Sequence, residues 1–250
     1  MLIEIERGLA EAMKEAKASG DLMLARTCIL SRMADSPGTY SVDVKSDSPE
    51  AAFAELDKMV NSPNVPIERA RQIRLYLAWK GHVESQFQEG ENFRMGRNIV
   101  QDHALARYWL LKAAERGHPS AQNNLGVMYA DGLGGAADYE RAVYWYMKSA
   151  AAGVAMAMSN LGLNLVAGRG AKRNYAKAAR LLKESLKSYP YSAHDHQLLA
   201  ECYEHGVGGR NGLSLAMRHY QEASDFGSLE ARAALRRLSA RKSSPPAAIP

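Results

Sequence analysis

Residues 121–153 read AQNNLGVMYADGLGGAADYERAVYWYMKSAAAG, and the rest of the chain can be laid out from this stretch. Leu125 and Tyr129 stand four apart, on one face of a helix, with Gly126 beside Leu125. Gly132, Gly134 and Gly135 break that helix and permit positive φ. Asp138 is a candidate N-cap for a second helix. In that helix Ala142, Trp145, Tyr146 and Ser149 recur at the spacing of one buried stripe. Gly153 stops it. The unit is therefore helix A, a glycine corner, then helix B.

The same residues return at a fixed interval. Leu125, Gly126, Gly132, Gly134, Tyr139 and Ala142 reappear 36 residues later as Leu161, Gly162, Gly168, Gly170, Tyr175 and Ala178. Going back 36 residues, Trp145, Ala142, Gly153, Tyr129 and Gly132 find Trp109, Ala106, Gly117, Phe93 and Gly96. The last unit is stretched to 38: Gly168, Gly170 and Ala178 map to Gly206, Gly208 and Ala216. Four units follow, roughly Glu84–His118, Pro119–Gly153, Val154–Tyr189 and Pro190–Gly227. A period in this range predicts an array in which each helix pair buries its apolar face only against its neighbours.

The pattern Leu125-Gly126, Tyr129, Gly132, Gly134, Asp138, Ala142, Trp145-Tyr146, Ala150-Ala151, Gly153 resembles the Sel-one-like repeat, a branch of the tetratricopeptide-like helical repeats. The resemblance covers Glu84 to Gly227. Some units depart from it: Glu89 replaces the Leu of the Leu-Gly pair, Ala200 replaces the Gly, and Leu165 replaces the helix A Tyr. It implies an all-α fold, a right-handed α-solenoid of antiparallel helix pairs with N- and C-terminal capping helices.

The flanking segments fit that plan. Residues 1–35 are expected to form an N-terminal helical cap, with helices over 3–17 and 22–33, and residues 36–48 a loop. Residues 49–83 read as a degenerate repeat. Ser48 and Pro49 start its first helix, and Ala70, Ala78 and Gly81 lie 36 before Ala106, Ala114 and Gly117. Residues 84–227 hold the four repeats. Residues 228–241 should be a capping helix with Ala231, Ala234, Leu235 and Leu238 inward, and residues 242–250, KSSPPAAIP, a disordered tail.

In 250 residues, 46% are hydrophobic, ample for a folded core, yet no run of 18 apolar residues exists, so no membrane insertion is expected. Two distant cysteines, Cys28 and Cys202, predict idle reduced thiols rather than a disulfide framework. Glu4 and Glu6 do not suit a signal peptide, which points to the cytoplasm, or to the periplasm if a leader has been removed. The net charge of +5 is uneven: residues 1–62 carry −4 and the remainder +9. The excess gathers partly in Arg232, Arg236, Arg237, Arg241 and Lys242, which raises nucleic-acid binding by the basic C-terminal half as the alternative reading.

No phosphate-binding loop or nucleophile elbow is present. The glycines at 132–135 and 206–209 follow helices rather than strands, so they read as repeat corners. His194, Asp195 and His196, with Glu201 and His205 at i, i+4, hold no second ligand pair and read as surface groups. No catalytic residues, no metal site and no cofactor are expected, and the chain is read as no enzyme. Trp109 and Trp145 fall on helix B packing positions, whereas Tyr108 and Tyr144 lie off the stripe.

The resemblance implies a concave wall lined by A helices, and hence a non-catalytic scaffold or adaptor binding a protein or peptide there. A bacterial regulator or an immunity protein inhibiting a toxic enzyme is a special case of that role. Subtracting packing residues from each A helix leaves Asn123, Asn124, Val127, Ala130 and Asp131 as candidate wall residues in the second unit. The same offset gives Phe87, Glu91 and Arg94 in the first, Ser159, Asn160, Leu163 and Val166 in the third, and Gln197, Glu201 and Glu204 in the fourth. Asn124 and Asn160 are equivalent, and the resemblance implies that an Asn there can hold a peptide backbone or carboxylate.

Overall fold

The computed structural model describes residues 11, 12, 14–16, 18, 19, 67–97 and 99–243. The expectations for a helix over 22–33, a loop over 36–48, a helix from Ser48 to Val60, Cys28 and the tail beyond 243 lie outside the described residues. Every regular element among the described residues is helical, as the repeat pattern requires.

The helices are α1 (Ile67–Trp79), α2 (Val83–Met95), α3 (His103–Glu115), α4 (Pro119–Ala130), α5 (Tyr139–Ala151), α6 (Ala155–Ala167), α7 (Tyr175–Ser188), α8 (Ala193–Glu204), α9 (Gly212–Asp225) and α10 (Leu229–Ser243). A 3-10 turn, Gly209–Asn211, precedes α9. The chain divides into two compact units, Met1–Ala136 and Ala137–Pro250. The boundary falls between α4 and α5, the A and B helices of one repeat, rather than between repeats.

Local chemistry explains where these helices begin. Asp102, Asp138 and Asn174, each 36 residues from the next, cap α3, α5 and α7 by accepting from backbone N–H groups one turn on. His82 and His118 do the same for α2 and α4 through Nδ1. Pro119 fills the first turn of α4, where its missing N–H costs nothing.

In the first unit α2 packs on α3 and α3 on α4. Its core holds Phe93, Leu105, Trp109, Leu110, Leu125 and Met128, all inaccessible to solvent or nearly so. Gly90 lets α2 approach α3 closely: a Cβ there would come within 2.6 Å of Leu110. Glu89 occupies the place that Leu125 and Leu161 hold in other repeats, and it is as buried as they are, at 1% exposure. Burial pushes its carboxyl up, and Arg74, 3.8 Å away, and Arg71 only partly offset this. Residues 11, 12, 14–16, 18 and 19 are helical, Ala12 and Ala16 are buried, and Trp79 donates its indole N–H to Glu15.

In the second unit α6 packs on α5 and α7, α8 on α7 and α9, and α10 on α9. The predicted stripe Ala142, Trp145, Tyr146 and Ser149 is buried, whereas Tyr144 is exposed. Gly162 repeats the close approach, here onto Leu182. The glycine corners carry a second close approach. A Cβ on Gly134, in the first unit, would overlap the His103 carbonyl at the start of α3. One on Gly170, in the second, would overlap the Tyr139 carbonyl at the start of α5. In the stretched last repeat the equivalent Gly208 instead faces the side chains of Leu215 and Tyr203. Helix α10 buries Ala231 and Leu238, half-buries Ala234 and Leu235, and runs to Ser243, so Lys242 and Ser243 are helical rather than part of the tail.

Candidate interaction surface

The polar residues chosen from the A helices do not stand free. In the first unit Arg94 donates through two nitrogens, at 2.7 Å each, to both carboxylate oxygens of Glu91. Asn124 Nδ2 reaches the same carboxylate at 2.9 Å, from the A helix of the next repeat. Phe87 lies under the His118 ring, stacked at 4.3 Å. Asn123, expected on an open face, is instead buried at 3% exposure, with its amide against the Asn124 side chain. Val127 is half-buried and Asp131 exposed.

The second unit repeats the pattern. Ser159 donates to Asp195 across to the next A helix, and Ser185 donates to the other oxygen of that buried carboxylate at 2.7 Å. Gln197 accepts from Ser228 at 2.7 Å. Glu204 receives two donors from Arg237 of α10 at 2.7 and 2.8 Å, and the Tyr220 hydroxyl at 3.1 Å. The guanidinium, more than any other group, holds the Glu204 carboxyl below its usual range. Asn160, Leu163 and Glu201 are half-buried, and Val166 is buried.

Four of these bonds share one geometry: Asn124–Glu91, Ser159–Asp195, Gln197–Ser228 and Glu204–Arg237 each tie an A helix to the corresponding helix of the adjacent repeat, or to α10 or the residue just before it. Much of the chosen face is therefore a polar seam between successive repeats. Periodicity places a residue on a helix face, but it does not say whether solvent or a neighbouring helix lies opposite.

What the sequence reading missed is the segment joining α7 to α8. Tyr189 and Tyr191 are 49% and 77% exposed, and with Met156, 53% exposed, they surround a cavity of about 600 Å³. Ser159, Ser185 and Asp195 also line it. The aromatic pair YPY, where other repeats have a short glycine turn, was the available signal.

The histidines also group differently from expectation. His205 stacks on Tyr175, and His194 is exposed on its own. The convergent set is His196, His219 and Glu222, drawn from α8 and α9. Burial, more than any charge, lowers the His219 pKa. Cys202 is fully buried, and its thiol is pushed up to about 12, chiefly by burial, so it is an inert core group. Of the C-terminal cations, Arg237 is committed to Glu204, and Arg232 approaches the Ser224 hydroxyl at 3.5 Å.

With this geometry in place, the chain can be set beside known proteins. The Sel1 repeat family model matches residues 83–118, 119–154, 155–187 and 196–227, more than half of the chain. The chain belongs to the Sel1 repeat family, whose members are generally scaffolds for protein interactions. It is similar to the crystal structure of a Sel1 repeat protein from Oxalobacter formigenes, with 25% identity and a TM-score of 0.60, over 75% of this chain and 80% of that one. It also shares the fold of a protective antigen of uropathogenic Escherichia coli that displays an SLR fold, at 22% identity and a TM-score of 0.63. That likeness covers 76% of this chain and 41% of the antigen's. Both are helical-repeat proteins of the solenoid class expected here. A search of curated proteins finds no match. No helix among the described residues is long and apolar enough to cross a membrane.

The family match leaves residues 188–195 between its third and fourth repeats. Tyr189 and Tyr191 fall in that gap, outside the shared pattern and free of its packing roles.

Proposed function

We propose that the chain is a non-catalytic adaptor that binds a protein or peptide, and that in its second unit the contact centres on Tyr189 and Tyr191. One observation carries this reading: two exposed tyrosines and Met156 ring a cavity of about 600 Å³ whose lining includes Ser159, Ser185 and Asp195. Rigid aromatic side chains bury large area at small entropic cost, which is why they recur as interface anchors. Beneath them the Ser159–Asp195–Ser185 hydrogen bonds hold the floor of the cavity in place. In the first unit the Asn124–Glu91–Arg94 group would form the polar edge of a contact, with Val127 and Asp131 beside it.

The test is affinity capture of the full chain in its native host, beside a Tyr189→Ala/Tyr191→Ala variant with unchanged helical circular dichroism. A stoichiometric protein held by the parent chain, and weakened about tenfold or more by the variant, is the expected result. No such protein, or one bound equally by both, rejects the reading. Retardation of DNA or RNA that falls steeply with salt would favour the nucleic-acid alternative instead.

A further inference from the structure

The group formed by His196, His219 and Glu222 is not a repeat feature. His196 takes the place held by Gln86 and Gln122 in earlier repeats, where the amide reaches back to a helix-end carbonyl. Its Nε2 keeps that role, lying 2.9 Å from the Pro190 carbonyl oxygen. A carbonyl only accepts, so Nε2 carries the proton and Nδ1 of the neutral ring presents a lone pair. That lone pair points into a narrow space. His219 Nδ1 lies 2.9 Å from it, and Glu222 Oε2 lies 2.9 Å from it. Glu222 Oε2 and His219 Nδ1 are 3.5 Å apart.

With both imidazoles neutral, protons alone satisfy this triangle poorly. If His219 donates from Nδ1 to His196, the His196 lone pair still faces a carboxylate oxygen at hydrogen-bond distance. A cation at the centre gives all three atoms a partner at once. Two ligands about 2.0–2.1 Å from a tetrahedral zinc ion stand about 3.3 Å apart, so the observed 2.9, 2.9 and 3.5 Å need side-chain shifts of only a few tenths of an ångström to admit the ion.

We propose that His196, His219 and Glu222 bind one divalent transition-metal ion of the zinc class. Two imidazole nitrogens and one carboxylate oxygen form a three-ligand set that leaves a fourth position open. His196, His219 and Glu222 themselves line a cavity of about 640 Å³, together with Lys183, Leu186, Leu199 and Phe226. The surroundings also supply what such sites use to orient their ligands. The Pro190 carbonyl fixes the His196 tautomer, and Arg218 holds Glu222 Oε1 at 3.2 Å, leaving Oε2 for the ion. Lys183 and Arg218 make the neighbourhood cationic, so the site discriminates against ions that bind through charge and oxygen alone, such as calcium and magnesium. Because the ligands come from α8 and α9, the ion would clamp the two helices of the last repeat together. This holds whether or not the tyrosine surface binds a partner.

The experiment strips the full chain with a chelator and titrates it with zinc by calorimetry and with cobalt by visible absorption. One ion per chain is expected, with the intense cobalt bands of tetrahedral coordination and a rise in melting temperature. His219→Gln and Glu222→Gln should each weaken binding by about tenfold or more with helicity preserved, whereas His205→Gln should leave it unchanged. Absence of a one-to-one site overturns the proposal. So does a site that both ligand variants leave intact, since the ion would then be held elsewhere.

Discussion

Gln122 donates its side-chain N–H₂ to the carbonyl oxygen of Ala114 at 3.1 Å, entirely inside the protein. Gln86 makes the same bond to Ala78 at 3.0 Å, 36 residues earlier. In these two repeats the first turn of the A helix thus adds a side-chain donor to a helix-end carbonyl that also accepts from the backbone N–H of Gly117 or Gly81. The third repeat has Met158 at this position and goes without.

Gln122→Met keeps the volume and removes one buried donor, leaving the Ala114 carbonyl only the Gly117 N–H. A loss of about 0.5–1.5 kcal/mol, the net worth of one hydrogen bond, is expected, read by urea unfolding monitored through helical circular dichroism. An unchanged midpoint would mean that water replaces the amide.

A second prediction separates two costs at the glycine corners. Gly170 and Gly153 both have positive φ, at 68° and 88°. A Cβ on Gly153 meets nothing within 4 Å, whereas one on Gly170 would overlap backbone at Tyr139 and Glu140. Gly153→Ala should therefore cost only the left-handed penalty of about 1 kcal/mol. Gly170→Ala should cost clearly more, because backbone has to move. Equal losses in paired thermal melts would show that the corner yields freely.

Glu89 gives a pH signature. Its folded pKa is raised above the model-compound value of 4.5, chiefly by burial. Between the unfolded and folded values the native state holds the extra proton, so stability falls as pH rises through that window. Glu89→Gln removes the titration. The melting temperature of the variant minus that of the parent chain should grow as pH climbs from about 4.5 toward neutrality. A difference that stays flat over this range would mean that Arg74 and Arg71 fully compensate the buried carboxylate.

The fold was legible because its cues are local and repeated. Leu125, Tyr129, Trp145 and the corner glycines each perform one packing task, and the same task returns 36 residues on. Asp138 announced its helix for a similarly local reason. The surface was legible only in part. Asn124, Ser159, Gln197 and Glu204 lie on A helices as expected, yet each spends its polar group on an adjacent repeat. Asn123 differs from Asn124 by one position and is buried, a distinction that helix periodicity alone does not make. His196 and His219 are 23 residues apart on different helices, so their meeting depends on how α8 packs on α9, which no spacing rule reveals. Tyr189 and Tyr191 interrupt the period, so the repeat pattern assigns them no role.

The corner at Gly134 and His103, like that at Gly170 and Tyr139, sets one main chain directly on another. Such a stop has a fixed thickness, independent of any side chain nearby. Within each unit the step from one repeat to the next is thereby insulated from mutation on the outer surfaces. Exposed positions such as Tyr144, Met156 and Tyr191 are left at liberty to diverge toward a new partner while the spacing beneath them stays put.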